Sequence, residues 1–204
     1  LVEQPDDYDP ERFRNCCREF SDLPADAGLV DARTMLNYGR LPNGKYMINW
    51  PKKGNDYYVN ALEMDRNERL KAWENARKHT LEFVYFLQQE LGFKNLGLAE
   101  NEFPTDDHLA LIPYHRESRR IKGLQTLILS DITHPYAHPE RALFKYGIAV
   151  GDYPLDHHHE CVSLPEPEVF PPVPAFNVPA GALIPQGVEG LLAAEKSISV
   201  SQIG

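Results

Sequence analysis

Two short runs carry the residues best suited to chemistry. The first, Arg116-Glu117-Ser118-Arg119-Arg120, sets three guanidinium groups around one carboxylate. Read as a strand, Arg116, Ser118 and Arg120 share one face, and Glu117 and Arg119 share the other. A desolvated, unpaired charge is costly, so buried arginines need carboxylate partners or an anionic ligand. One reading is a clamp for a substrate carboxylate, or for a cofactor's phosphate or carbonyl. The other is an ion-pair network joining sheet to helix, with Glu117 pairing one arginine. The residues alone leave both open.

The second run is Asp156-His157-His158-His159-Glu160. In an extended chain Asp156 and His158 point one way, and His157 and His159 the other. Two imidazoles at that spacing chelate a metal, with Asp156 or Glu160 completing the site, although no third ligand is fixed by spacing. An imidazole beside a carboxylate is also the ordinary arrangement of a general base with a fixed tautomer. That makes Asp156 and His158 a substrate-facing pair, and the remaining alternative is a set of surface histidines.

Other segments carry weaker signals. Ile48-Asn49-Trp50-Pro51 and Gly54-Asn55-Asp56-Tyr57-Tyr58 are dense in rings and amides. Such a loop either lines a polar pocket or is pinned to its own domain by buried rings. His134-Pro135-Tyr136-Ala137-His138-Pro139 reads as a stiff loop leading to a short helix at 140–144. No GxSxG, Walker loop, HExxH or GxGxxG occurs, and Gly147-x-x-x-Gly151 is too weak to use.

The elements that must position these groups are an α+β set. Asp65, with Glu68 three residues on, opens a helix from about Arg66 to Leu91, ended by Gly92. Leu70, Trp73, Ala76, Leu81, Val84, Leu87 and Leu91 form its apolar stripe, and His79 is at its surface or half-buried. Asp9 and Pro10 open a second helix, on which Phe13, Cys16, Cys17 and Phe20 recur at helical spacing. Those cysteines read as small buried hydrophobes rather than a redox pair. Strands are expected near 29–30, 46–50, 147–153, 176–184 and 190–194, with two more flanking the arginine run between 109 and 129. Leu41-Pro42-Asn43-Gly44 is a turn. Residues 154–185 hold eight of the 17 prolines and read as a semi-rigid connector.

Composition sets the outer bounds. The 204 residues, 42% apolar and 25% charged, suit one large soluble domain or two small ones. A net charge of −9 opposes binding to a nucleic-acid backbone. No apolar run approaches the ~18 residues of a membrane span, and no signal peptide is visible. Three cysteines without paired spacing are not a disulfide framework and favour a reducing compartment, the cytoplasm. A periplasmic address stays open if a leader lies upstream.

Four segments, in order from about residue 48 to the end, resemble one family. Leu111–Gly123 is similar to a "Y-x-R-E-S-R-R-I-x-G" stretch of the bacterial FAD-dependent oxidoreductases, some of whose members carry the label xanthan lyase. Gly147–His158 resembles their "I-G-x-x-Y-P-x-D-x-H" segment, and Val178–Leu192 their "I-P-Y-x-x-L-I-P-x-G-V-x-N-L-L" segment. The Ile48–Pro51 and Gly54–Tyr57 loop also fits. Ala193-Ala194-Glu195-Lys196-Ser197-Ile198-Ser199 stands where relatives have "A-G-R-x-I-S", with Glu195 and Lys196 replacing the Gly-Arg pair.

The resemblance implies a flavoprotein whose Rossmann-type FAD domain is split around an inserted substrate-side domain. Residues 1–164 would be that insert, with a mixed or antiparallel sheet and one long helix, and 165–204 a connector with return strands. The family's phosphate-binding glycine motif would precede Leu1, and its glycine-rich flavin segment would follow Gly204. This stretch alone is therefore not expected to bind FAD or turn over. Arg116 and Arg120, fixed by Glu117, would stabilise negative charge at the flavin or a substrate carbonyl. His158, oriented by Asp156, would move a proton as hydride is transferred. Lys196 and Ser199 are the positions carried over as cofactor-facing. The substrate would be a small molecule or a carbohydrate, and exposed strands leave a homodimer open. Competing readings are a carbohydrate-active lyase or polysaccharide-binding domain, using the aromatic loop and the His/Arg inventory, and a metal-binding module on His157–His159.

Overall fold

A computed structural model describes residues 1–49, 52–115, 119–137, 143–155 and 172–201. The chain divides into two compact units, Leu1–Tyr114 and His115–Gly204. The boundary expected between 164 and 165 falls inside the second unit. Among the described residues the elements are α1 (Ala32–Tyr38), α2 (Lys52–Asn55), α3 (Arg66–Gln89), α4 (Leu129–Thr133), β1 (Gly147–Gly151) and β2 (Phe176–Pro179), with several single 3-10 turns. Helices and a small antiparallel sheet together are consistent with α+β. No helix of the described residues is long and apolar enough to cross a membrane.

The first unit is built on α3. Its start follows the expected chemistry: the Asp65 carboxylate accepts from the N–H groups of Asn67 and Glu68, and Glu68 accepts in return from Asp65 N–H. The helix stops at Gln89, two residues before the expected end, and Gly92 takes the left-handed conformation of a helix exit (φ 74). Its buried face differs in part from the expected stripe. Leu70 is exposed, while Ala72, Ala76, Phe83, Val84, Phe86 and Leu87 are buried. Phe86 meets Phe13 at 5.0 Å and Phe20 edge-on at 4.8 Å, so one ring joins three segments.

The expected helix over 10–20 is absent. Asp9 does cap its first turn, but Pro10–Phe13 is a single 3-10 turn that breaks at Arg14. Asn15 then turns left-handed (φ 67), and a second 3-10 turn covers Arg18–Phe20. The Asn15 side chain accepts from Ser21 Oγ and Asp22 N–H, a local bond that competes with helix. Phe13, Cys16 and Cys17 are buried all the same, with Phe20 packed against them. A helical spacing of apolar residues thus reported burial correctly and the element incorrectly. α1 was not expected, although Asp31 caps it. Gly39 closes it, where a Cβ would lie 1.7 Å from the Met47 carbonyl oxygen.

Among the described residues, the aromatic and amide loop is pinned to α3 through Gly54, and the rings of Tyr57 and Tyr58 stay exposed although Tyr57 meets His79 at 5.5 Å. His79 Nε2 lies 2.8 Å from the Gly54 carbonyl oxygen. Gly54 adopts φ +98, and a Cβ there would be 2.8 Å from the Phe83 ring. Trp50 and Pro51 lie outside the described residues. Burial holds the His79 imidazole below the ordinary histidine range, outweighing its bond to Gly54 and the nearby Glu82. The unfolded chain therefore takes up this proton first as pH falls below about 6.5, and stability drops until the folded imidazole titrates too. Thermal unfolding between pH 7.5 and 5.5 should show this decline, and His79→Gln should flatten it. An unchanged slope in the variant would assign the decline to other groups.

In the second unit β1 pairs antiparallel with β2, Gly147 opposite Pro179 and Gly151 opposite Phe176. Both glycines are dictated by that pairing. A Cβ on Gly147 would fall 2.1 Å from Asn177 Nδ2, and one on Gly151 would be 2.5 Å from the Phe176 ring. Asn177 uses its side-chain amide as a strand would use its backbone, accepting from Phe144 N–H at 3.0 Å and donating to Phe144 O at 2.8 Å. The strands expected at 29–30, 180–184 and 190–194 do not form. Residues 180–182 make a 3-10 turn instead, and Tyr46 makes a single bridge to Arg40. Half of the proline-rich stretch, 156–171, lies outside the described residues, as does most of the helix expected at 140–144.

Candidate functional site

Of the seven residues singled out for function, Arg116, Glu117, Asp156 and His158 lie outside the described residues. So do His157 and His159. The other three, Arg120, Lys196 and Ser199, belong to one layered arrangement in the second unit. Residues 119–127 run between two other segments, 180–186 on one side and 197–201 on the other. Toward 197–201, Ile121 N–H donates to Ser197 O at 3.0 Å, Leu127 N–H to Ser199 O at 3.0 Å and Ser201 N–H to Leu127 O at 2.8 Å. Toward 180–186, Leu124 N–H donates to Ile184 O at 2.9 Å, Gln125 N–H to Gly181 O at 3.1 Å and Gln186 N–H to Lys122 O at 2.8 Å. Ser199 N–H closes the third side on Ala182 O at 2.8 Å.

Single residues explain why the segments come this close. Gly123 faces both neighbours, and a Cβ there would sit 2.7 Å from Gly181 O and from Ser199 Cβ. Gly181 in turn faces the Gln125 side chain, its own Cβ position 2.7 Å from Gln125 Oε1. Gln186 Nε2 donates to Gly123 O at 2.7 Å, tying the glycine's free carbonyl. Few ladder bonds are regular enough to count as strand, which is why only isolated bridges, Gly123 to Pro185 and Leu127 to Val200, mark the layer.

Within this layer the three residues differ. Arg120 is half-buried, and its Nη1 donates to Ser201 O at 3.1 Å, so the main chain of the neighbouring segment orients the guanidinium. Lys196 is partly exposed, with Nζ 3.9 Å from the Glu195 carboxylate. Ser199 is buried, and its hydroxyl lies 2.8 Å from Thr126 Oγ1. Its hydroxyl and both its main-chain groups are thus used inside the layer. Arg120 and Lys196 each directly precede a residue of the Ile121–Ser197 main-chain bond, and a cation at either position can stabilise an anionic group.

Glu195 has φ +58, a left-handed conformation that side chains adopt at a cost. Glycine is the natural occupant of such a backbone, so the "G" of the resembled "A-G-R-x-I-S" pattern and the conformation found here agree. Glu195→Gly should therefore be more stable than Glu195→Ala by about 1 kcal/mol, measured by urea unfolding. Equal stability of the two variants would mean the turn relaxes without a left-handed residue.

Sequence reasoning took the loop between Ile184 and Leu192 as part of the family-like segment Val178–Leu192 and did not read it as a hollow. Gly187 (φ 74) and Gly190 (φ 71) turn it into an open hollow of about 690 Å³ lined by Ile184, Pro185, Val188, Leu191 and Leu192. The signal was present as two glycines within a short apolar run. Among the described residues no group of three or more His, Cys, Asp or Glu is placed to hold a metal ion.

A family model described as FAD dependent oxidoreductase matches residues 1–204. The match reaches residue 1, well before the first of the four resembling segments at Ile48. No curated protein matches the chain, and no solved structure matches it.

Proposed function

The chain belongs to the FAD dependent oxidoreductase family, and we propose that it forms the substrate side of a flavoprotein that passes a hydride between an organic substrate and flavin. The observation that carries this reading is the pairing of 121–127 with 197–201, which joins the end of the arginine run to the "A-G-R-x-I-S"-like segment. Two stretches about 75 residues apart in sequence, each resembling a different part of the family's pattern, meet in one layer.

The described residues fit one end of FAD and not the other. Dinucleotide phosphates bind where a glycine-rich turn opens a helix N-terminus. The starts of α1 and α3 are closed instead by the carboxylates of Asp31 and Asp65, which accept the first-turn N–H groups and would repel a diphosphate. Arg120 and Lys196 suit the opposite end, where negative charge accumulates on a ring carbonyl. Bound flavin supplies the two-electron store. In the proposed division of labour, residues 1–164 hold the substrate and 165–204 lead toward the cofactor domain. Arg116 and Arg120, steadied by Glu117, stabilise developing negative charge, and His158, oriented by Asp156, holds or moves the substrate proton. Lys196 faces the cofactor directly, and Ser199 acts through the backbone it fixes.

Flavin titration of the 204-residue chain should show no saturable binding, because the described residues offer the diphosphate no cradle. Stoichiometric binding would overturn the division. In the complete protein, yellow with flavin, His158→Ala should lower turnover, and unchanged turnover would remove His158 from the assignment. A colourless complete protein that cleaves an acidic polysaccharide would replace this reading with the lyase.

A further inference from the structure

Cys16 and Cys17 stand side by side in the core of the first unit with their sulfurs 3.7 Å apart. Neighbouring side chains of an extended chain point to opposite sides. Here the left-handed Asn15 immediately precedes them, its N–H bonded to Phe20 O at 2.8 Å. Both thiols enter the same cluster, with Phe13, Met35, Phe83 and Phe86, and both are almost wholly buried. Packing alone asks for small apolar groups and gives no reason for the two sulfurs to touch.

We propose that Cys16 and Cys17 form a reversible vicinal thiol–disulfide pair, a two-electron redox site distinct from the flavin chemistry, with hydroperoxides as its oxidant. The bond from Cys16 Sγ–H to Cys17 Sγ holds the Cys17 thiol below its ordinary range, while that bond and burial push Cys16 up. Cys17 is accordingly the attacking sulfur. Its thiolate takes the outer oxygen of the peroxide, the O–O bond breaks, and with hydrogen peroxide the leaving hydroxide departs as water. Cys17 is then a sulfenic acid. The Cys16 thiolate displaces its hydroxyl as a second water and forms the S–S bond. Two electrons pass from the sulfurs to the peroxide, and the two thiol protons end in the two waters.

The ring so formed is strained. Adjacent Cα atoms are about 3.8 Å apart, below the span ordinary disulfides occupy. Strained disulfides are readily reduced, which suits a switch and not a staple. Because the sulfurs are covered, reaction waits on local opening. Residues 14–17 belong to no helix, and their main-chain bonds include the turn bonds Asn15 N–H to Phe20 O at 2.8 Å and Cys16 N–H to Phe13 O at 3.1 Å. Opening of this kind needs less free energy than global unfolding.

The test is a peptide map of the native chain treated with hydrogen peroxide, then alkylated and digested with trypsin. Arg14 and Arg18 delimit a peptide, Asn15–Arg18, that holds both thiols and excludes Cys161. That peptide should be unalkylated and lighter by two hydrogens, and dithiothreitol should return it to the doubly alkylated form. In Cys17→Ser, Cys16 should stay open to alkylation after unfolding. A doubly alkylated wild-type peptide after peroxide overturns the proposal, as does a stable oxygen adduct on either sulfur or a cross-link to the Cys161 peptide. The wild-type map decides the matter whether or not the variant folds.

Discussion

Arg12→Met is expected to destabilise the first unit by about 3 kcal/mol, and adding Glu82→Leu to return most of that loss. Glu82 is 1% exposed on the buried face of α3, and its Oε2 accepts from Arg12 Nη1 at 2.7 Å. Its second oxygen is buried with no hydrogen-bond partner among the described residues. Removing the guanidinium leaves a buried carboxylate without its ion-pair partner. Arg12 itself is 52% exposed, so solvent already screens the cation, which places the expected cost at the low end for broken buried pairs. The double variant swaps both charges for packing, which at such sites is close to neutral. Urea unfolding at constant m-value measures all three proteins. A single-variant cost under about 0.5 kcal/mol would show that the pair behaves as a surface pair and that Glu82 is hydrated.

The same pair marks where sequence reasoning stops. The long helix was legible because its signals are local: Asp65 and Glu68 cap each other within one turn, and Gly92 supplies the left-handed exit. Arg12 and Glu82 are 70 positions apart, and nothing in the residues near either one names the other. The break at Arg14 was hidden for a related reason. Phe13, Cys16, Cys17 and Phe20 carry a helical period, but the bonds from the Asn15 side chain to the Ser21 hydroxyl and the Asp22 amide offered the backbone a competing arrangement. Periodicity reported which residues face the core and could not report how the chain brings them there.

The candidate site was legible as segments and not as an assembly. The arginine run and the segment ending at Ser199 were both singled out, and the structure pairs their neighbourhoods through Ile121 and Leu127. What the residues did not disclose is the role of Gly123, which entered only as the last residue of the family-like stretch. Likewise Gly147 and Gly151 form a pattern too weak to interpret alone, yet a Cβ on either would run into a side chain of β2, Asn177 or Phe176. Close approach between distant backbones leaves only an absent side chain as its trace in a sequence.

Gly123→Ala therefore has the largest expected effect on the second unit, a loss of about 3 kcal/mol. The added Cβ would meet Gly181 O and Ser199 Cβ at 2.7 Å and Gln125 O at 2.9 Å. Two of these three atoms belong to backbone, so no flexible side-chain end is available to yield, and the segments must part. Gly187→Ala provides the contrast. Gly187 also has an unusual backbone (φ +74), but nothing lies within 4 Å of its Cβ position, so the expected cost is only the conformational one, about 1 kcal/mol. Hydrogen exchange separates the two beyond their stabilities. The amides of Leu127, Ser199 and Ser201, which bond across the layer, should lose protection in Gly123→Ala and keep it in Gly187→Ala. Retained protection in Gly123→Ala would mean that the layer closes without this contact. Loss of protection would tie the placement of Arg120, held through Ser201 O, to a residue that carries no functional group of its own.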